Sequence, residues 1–202
     1  MRKLKLSLIA ITLSFFAACS SDDDSTTTTQ QQQQEQNDEN QDESNTSDDN
    51  NQNQQSLSEQ IIGVWNVTSI DLTGDVATGG VALGDISGIG KNITLKFDIT
   101  DNPKNVVSTG DFDLHATINM NGNTQDISEE NVDYNFDSAW IIDENAETIT
   151  IQEPETGEDI VLQITEISDT ELTLTMSDTQ SDDSTGVALD ITTNFVFKCI
   201  KN

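Results

Sequence analysis

The sequence is poor in basic residues. It contains 8 Lys and Arg and a single His against 37 Asp and Glu, and its formal net charge at pH 7 is −29. A chain this acidic repels phosphate backbones, which excludes nucleic acid as a partner. It is not attracted to anionic lipid head groups either. The charge is typical of a protein surface that stays soluble and avoids non-specific contacts.

Motifs for catalysis and cofactor binding are also missing. The sequence has no G-x-S-x-G nucleophile elbow, no glycine pattern of a phosphate-binding loop and no calcium loop of the EF-hand type. A hydrolytic triad would have to use His115, the single histidine. We therefore expect a protein that is not an enzyme, with no catalytic residue, no metal and no cofactor.

No apolar run is long enough to span a bilayer. The longest is the run of about eleven residues from Leu6 to Phe16, and it follows a short basic segment, Met1 to Lys5. A basic start followed by an apolar segment of this length is typical of a secretory signal peptide. We predict that residues 1–18 are a signal peptide that is removed.

The apolar run ends in Phe16-Ala17-Ala18-Cys19, which resembles the lipobox of bacterial lipoproteins. The resemblance implies cleavage after Ala18 and a lipid on Cys19 that attaches the mature chain to a membrane. The alternative is an ordinary signal peptide followed by an unrelated cysteine. The acidic run that follows, Asp22 to Asp24, resembles the signal that sends Gram-negative lipoproteins to the outer membrane and to the cell surface. It is also compatible with a simple solvated linker.

Residues 19–59 are rich in Thr, Gln, Asn, Ser and acids, and they contain almost no apolar side chain. Such a segment cannot bury enough apolar surface to offset its conformational entropy. We predict a disordered tether between the lipid and a single folded domain over residues 60–202.

The folded domain is predicted to be all-β. Ser56-Leu57-Ser58-Glu59 fits a capping box and predicts one helical turn before the first strand. Apolar and polar residues then alternate in short segments separated by turn residues, with no convincing long helix. This pattern predicts an eight-stranded up-and-down antiparallel barrel. The clearest alternating segments are Ile93–Ile99, Phe112–Met120, Ile160–Ile164, Leu172–Met176 and Val187–Cys199.

The segment from residue 73 to residue 91 breaks this pattern. It holds six of the eleven glycines of the chain and has no clear period. A long glycine-rich stretch without periodicity is often a functional loop. Because it also carries apolar residues, we expect it to pack as a lid.

The order of these features resembles the lipocalin-like domains of bacterial lipoproteins. Gly63-Val64-Trp65 matches the G-x-W motif that opens the first strand, and a glycine-rich loop follows it. The resemblance covers essentially all of residues 57–202 and implies a barrel that holds a small apolar ligand. It assigns Gly63 and Trp65 to the barrel motif and Trp140, Leu83, Ile86 and Ile89 to a ligand pocket or lid. The chain departs from the family because its only Arg lies in the leader, so no Arg can accompany the motif Trp.

Three further sets of residues are candidate sites. Asp111, Asp113 and His115 share one face of a strand, which allows a metal site but favours a solvated outer face. Cys199 has no intrachain partner if Cys19 is lipidated, and we expect a buried, inert thiol. The tripeptides at Asp24, Asp137 and Asp183 resemble a bacterial O-glycosylation pattern.

Two non-enzymatic functions follow from these expectations. The first is a membrane-anchored lipoprotein, expected to be monomeric, that binds a small hydrophobic ligand at the cell envelope. The second is a structural or protein-interaction module of the outer-membrane surface whose barrel core is filled. Strand alternation does not separate them, because the same inward-facing residues either fill a barrel or line a cavity.

Overall fold

The computed structural model describes residues 55–152, 159–182 and 188–202. Within these ranges the chain forms one short helix, α1 (Leu57–Gln60), followed by strands that take up most of the remaining residues. The strands are β1 (Gly63–Thr78), β2 (Val81–Lys91), β3 (Lys96–Thr100), β4 (Asn105–Thr109), β5 (Asp111–Met120), β6 (Asn123–Asp133), β7 (Phe136–Asp143), β8 (Thr148–Gln152), β9 (Asp159–Ile167), β10 (Glu171–Asp182) and β11 (Leu189–Lys201). The leader, Cys19 and nearly all of the tether lie outside the described residues.

Eight strands close into an antiparallel barrel, in the order β1-β3-β4-β7-β8-β9-β10-β11 and back to β1. The closing pair runs from Trp65 opposite Lys201 to Ala77 opposite Asp190. Strands β2 and β3 extend one another along the chain, as do β4 with β5 and β6 with β7, so the path remains an up-and-down meander. The prediction of an all-β, eight-stranded antiparallel barrel is confirmed.

The barrel has two halves that differ along its axis. In the closed half, the start of β1 pairs with β3 and the ring described above is complete. In the open half, the end of β1 pairs instead with β2, and the sheet continues through β5 to β6. The open half is therefore a six-stranded sheet in the order β10-β11-β1-β2-β5-β6, in which β10 contributes residues 176–182.

Aromatic side chains fill the closed half. Phe97 is buried and lies edge-on to Phe197 and to Tyr134, with ring centroids 6.2 Å and 6.5 Å away. Phe136 and Phe195 extend the same cluster. Aromatic pairs at these separations contribute beyond the apolar area they bury. Large rings are therefore what fix the two walls of this half against each other.

Short turns join the strands at the ends of the barrel. Asn121 and Gly122 both have positive φ angles, of 50° and 80°, in the turn between β5 and β6. Two such residues suit the tight turn of a hairpin with normal strand twist. The helical turn predicted after Ser56 is confirmed, and there Glu59 Oε2 accepts a hydrogen bond from the Ser56 backbone N–H at 3.2 Å.

The expected glycine-rich lid is wrong. Strand β1 continues to Thr78 and β2 begins at Val81, so only Gly79 and Gly80 form a turn within residues 73–91. Strand β10 likewise runs on to Asp182, beyond the alternating segment Leu172–Met176. In both places the strand is present although its apolar alternation is weak.

None of the helical segments among the described residues has the length and apolar character needed to cross a membrane.

Candidate functional site

The inner face of the open half is apolar but incompletely covered. Residues that pair directly across strands share a face, and Ile118 of β5 pairs with Ile86 of β2, which is 2% exposed. Unlike Ile86, Ile118 is only partly buried. The other partly buried apolar side chains near this face are Met120, Ile127, Met176 and Ile191. Half-covered apolar side chains on a concave sheet are what an apolar ligand could complete.

Small residues line the middle of this face. Gly84, Gly88 and Gly90 of β2 stand opposite inward-facing residues of β5, and Gly88 pairs with Ala116. A Cβ added at Gly90 would lie 2.8 Å from the Cβ of Ile70 on β1, so no larger side chain fits there without a shift. A Cβ at Gly84 or Gly88 would lie 2.1 Å or 2.9 Å from atoms of β5, so these glycines let β5 pack closely against β2.

The open half has two free strand edges among the described residues. Strand β6 pairs only with β5, and residues 176–182 of β10 pair only with β11. In the closed half, β8 (five residues) and β9 (nine residues) stand between β7 and β10. At the base of this interval the Tyr134 hydroxyl reaches the Met176 sulfur at 3.5 Å. Tyr134, between β6 and β7, thus contacts β10 at the boundary of the aromatic cluster.

The motif residues Gly63 and Trp65 lie at the far end of the closed half. Trp65 is 0% exposed, and its indole N–H donates to the Ile61 carbonyl at 2.7 Å. Lys201 Nζ lies 4.9 Å from the centroid of the Trp65 ring and donates to the Gln60 carbonyl at 3.2 Å. Lys201 therefore supplies a basic partner for the motif Trp in a domain that has no Arg.

Gly63 makes room for this arrangement. Its φ angle of 138° suits glycine, and a Cβ at this position would lie 2.6 Å from Lys201 Cε. In the sequence, Lys201 is marked only by its position at the end of the last strand, and no motif predicted its contact with Trp65.

The other predicted pocket residues are not brought together. Trp140 is 1% exposed on β7 and donates from Nε1 to the Thr100 carbonyl at 2.9 Å, with Lys104 Nζ over its ring at 4.7 Å. These contacts place it in the core near the turn between β3 and β4. Ile86 lies on the inner face of the open half, whereas Ile89 is 47% exposed.

Leu83 belongs to the same strand as Ile86. It is partly buried at the irregularity where β1 and β2 shift register. Of the four residues assigned by the resemblance, Ile86 is the one whose inward position on the concave face is clear.

Asp111, Asp113 and His115 form structural contacts. Asp113 accepts hydrogen bonds from the Asn131 backbone N–H at 2.9 Å and from the Asn92 side-chain amide at 2.6 Å. These two donors hold the pKa of Asp113 below its usual range, with a smaller contribution from His115. Asp111 accepts from the Thr94 hydroxyl, and His115 Nδ1 lies 3.2 Å from the Ser128 hydroxyl.

No group of three or more potential ligands arranged for a metal ion is found among the described residues. The hydrogen bonds of Asp111 and Asp113 join β5 to the segment before β3 and to the bulge in β6. Their observed contacts are thus those of residues that hold strands together.

Two remaining candidates are buried. Cys199 packs in the core, and burial raises the pKa of its thiol to about 12, which makes the thiolate scarce at neutral pH. Ser138, in one of the glycosylation-like tripeptides, is 6% exposed on the inward register of β7. A buried hydroxyl is not accessible to a glycosyltransferase in the folded state, so this position is excluded from that hypothesis. The tripeptides at Asp24 and Asp183 lie outside the described residues.

The chain was compared with protein-family models, with curated proteins and with solved structures, and none of them matches it. The likeness to lipocalin-like proteins therefore rests on the G-x-W segment and on the eight-stranded antiparallel barrel itself.

Proposed function

We propose that this protein is a lipid-anchored, non-enzymatic protein of the bacterial outer membrane whose barrel binds a small apolar ligand in its open half. The observation that carries the proposal is the set of partly buried apolar side chains on the concave face of that half. The barrel fold supports it, because eight-stranded barrels of this size can hold one small ligand.

The anchor and the location rest on the sequence. The lipobox-like segment supports attachment through a lipid on Cys19, and the acidic run after it supports export to the cell surface. The tether would then hold the barrel away from the membrane. A monomer is sufficient for this function, since the ligand face belongs to one chain.

The test uses two substitutions on neighbouring positions of β5. Ile118→Asn places an amide on the concave face, whereas Thr117→Asn places the same group on the outer face, where Thr117 Oγ1 donates to Asp126 at 2.9 Å. We expect a neutral apolar fluorophore such as N-phenyl-1-naphthylamine to bind the unsubstituted chain. We expect Ile118→Asn to weaken this binding at least tenfold and Thr117→Asn to change it less than twofold.

Native mass spectrometry of the chain purified from its own host is the independent measurement. An adduct of a few hundred daltons that is lost on denaturation would identify the ligand class. Absence of an adduct together with equal fluorophore binding by the two variants would contradict the proposal. Near-ultraviolet circular dichroism of each variant establishes that the barrel is still folded.

The second candidate function is a protein-interaction module. It is supported by the filled aromatic core of the closed half and by the free edge of β6, which could pair with an extended segment of a partner. This alternative predicts that Ile118→Asn leaves the physiological partner bound, because pairing at a strand edge does not use the concave face.

A further inference from the structure

The lysines of the barrel are concentrated in its closed half, whereas acids occur in both halves. After the leader the chain has five Lys, since three of its eight basic residues lie before Cys19. Lys96, Lys104, Lys198 and Lys201 belong to the closed half, and Lys91 is the last residue of β2, at the boundary. Among the described residues of the open half beyond that boundary there is no Lys and no Arg. Its outer face carries only acids as charged side chains besides His115: Asp71, Asp75, Asp85, Asp126 and Asp190.

Two further carboxylates belong to the concave side. Glu129 of β6 pairs with Leu114, and Asp178 of β10 pairs with Thr193. Leu114 and Thr193 are both buried, so Glu129 and Asp178 occupy the inward register of the two edge strands while remaining exposed. Asp178 also accepts a hydrogen bond from Gln180 at 2.8 Å. Each free edge of the apolar face therefore carries an inward-register acid.

We propose that the ligand of the open half is a small cationic amphiphile, such as a long-chain ammonium compound. This inference rests on the proposed function and adds the charge of the ligand to it. The apolar chain contacts the concave face at residues such as Ile118 and Met176, and the cation meets Glu129 and Asp178 at the edges. A fatty acid or another anionic amphiphile is repelled, because none of the described residues near the concave face is a base that could compensate its charge.

The experiment compares three probes that share one alkyl chain. Decyltrimethylammonium, decyl maltoside and decyl sulfate are titrated below their critical micelle concentrations into the mature chain, which carries Cys19→Ser so that it has no lipid. We expect the cation to bind about tenfold more tightly than the neutral probe, a difference that contacts with two exposed carboxylates can supply. The anion is expected to bind more weakly than the neutral probe. The preference for the cation should shrink as salt is added, because exposed charges are screened.

Two double variants identify the carboxylates responsible. Glu129→Gln with Asp178→Asn should bring the affinity of the cation to within twofold of that of the neutral probe. The matched control, Asp98→Asn with Glu171→Gln, removes two exposed acids from the closed half and should leave the preference unchanged. An equal loss in both double variants would mean that overall charge, and not these two positions, sets the preference, and would overturn the proposal.

The probes also separate the two levels of the hypothesis. Failure of all three probes to bind would contradict the proposed function itself. Binding of the neutral probe with equal or tighter binding of decyl sulfate would leave the proposed function standing and overturn the inference about charge.

Discussion

The two halves of the barrel share strands β1, β10 and β11 but differ in how their inner faces are packed. The closed half holds its walls together with rings such as Trp65, Phe97 and Phe197, which are at most 2% exposed. The open half has glycines at several inward positions of β2 and leaves apolar side chains such as Ile118 partly exposed. Stability is thus concentrated in one half, and the candidate binding face lies in the other.

This division has a physical reason. A barrel filled with aromatic side chains gains dispersion and hydrophobic stabilisation at every layer, but it has no room for a ligand. A sheet face whose apolar side chains are only partly buried gives up part of that stabilisation and leaves apolar surface that a ligand could cover. The breaks between β2 and β3, between β4 and β5 and between β6 and β7 lie along the boundary of the halves. At each break, one strand of the pair belongs to the open half and the other to the closed half.

The largest expected contrast comes from the same substitution in the two halves. Ile99→Ala removes a side chain that is 2% exposed in the closed half and should destabilise the fold by about 3 kcal/mol. Ile118→Ala removes a half-covered side chain and should cost about 1 kcal/mol, because less apolar surface returns to water. Urea unfolding followed by circular dichroism measures both. Equal losses would show that the open half is as tightly packed as the closed half.

The sequence predicted the closed half better than the open half, and the same packing difference explains why. Alternation of large apolar residues indicated the strand over Ile93–Ile99, which includes Phe97 of the core. It failed over β2, because glycines take several of the inward positions there, and a lid was expected instead. It also failed over β6, where most residues are polar and exposed on both faces.

The candidate site was correspondingly hard to predict. Ile86 was assigned to a ligand pocket or lid, but its partners Ile118 and Gly74 are fixed by strand pairing that the sequence does not state. Lys201 and Trp65 are separated by most of the domain and meet only because β11 pairs with β1. Pairing partners this distant in the chain are properties of the closed sheet and not of any local pattern.

A smaller contrast concerns the lysine that covers Trp65. Lys201→Met keeps the aliphatic stem over the ring but removes the cation and the hydrogen bond to Gln60, and we expect a loss of about 1 kcal/mol. Lys198→Met, three residues earlier on an exposed position, is the matched control and should change stability by less than half as much. Urea unfolding measures both variants. A loss as large for Lys198→Met would mean that only net charge matters at this end.

The smallest expected effect depends on pH and concerns the end of the closed half where α1 is attached. The Glu144 carboxylate accepts hydrogen bonds from the backbone N–H groups of Ser58 and Leu57, each at 3.1 Å. The Ser58 contacts, followed by that of Leu57, lower the pKa of Glu144 from its ordinary value of 4.5. Because its pKa is lower in the folded state, Glu144 stabilises the fold above about pH 4.5, and this contribution disappears as the pH falls through the folded pKa.

Glu144→Gln should therefore lower the thermal midpoint slightly at neutral pH and reduce its fall below about pH 4.5. Glu171→Gln, which alters an exposed acid at the start of β10, is the control. Thermal unfolding of the three chains between pH 7 and pH 2.5 measures the difference. If the Glu144→Gln variant loses stability in acid as steeply as the unsubstituted chain, then the contact between α1 and the turn after β7 does not hold the closed end together in solution. The open half, which has no such attachment to α1 among the described residues, should be indifferent to this substitution, so ligand binding at neutral pH should be unchanged.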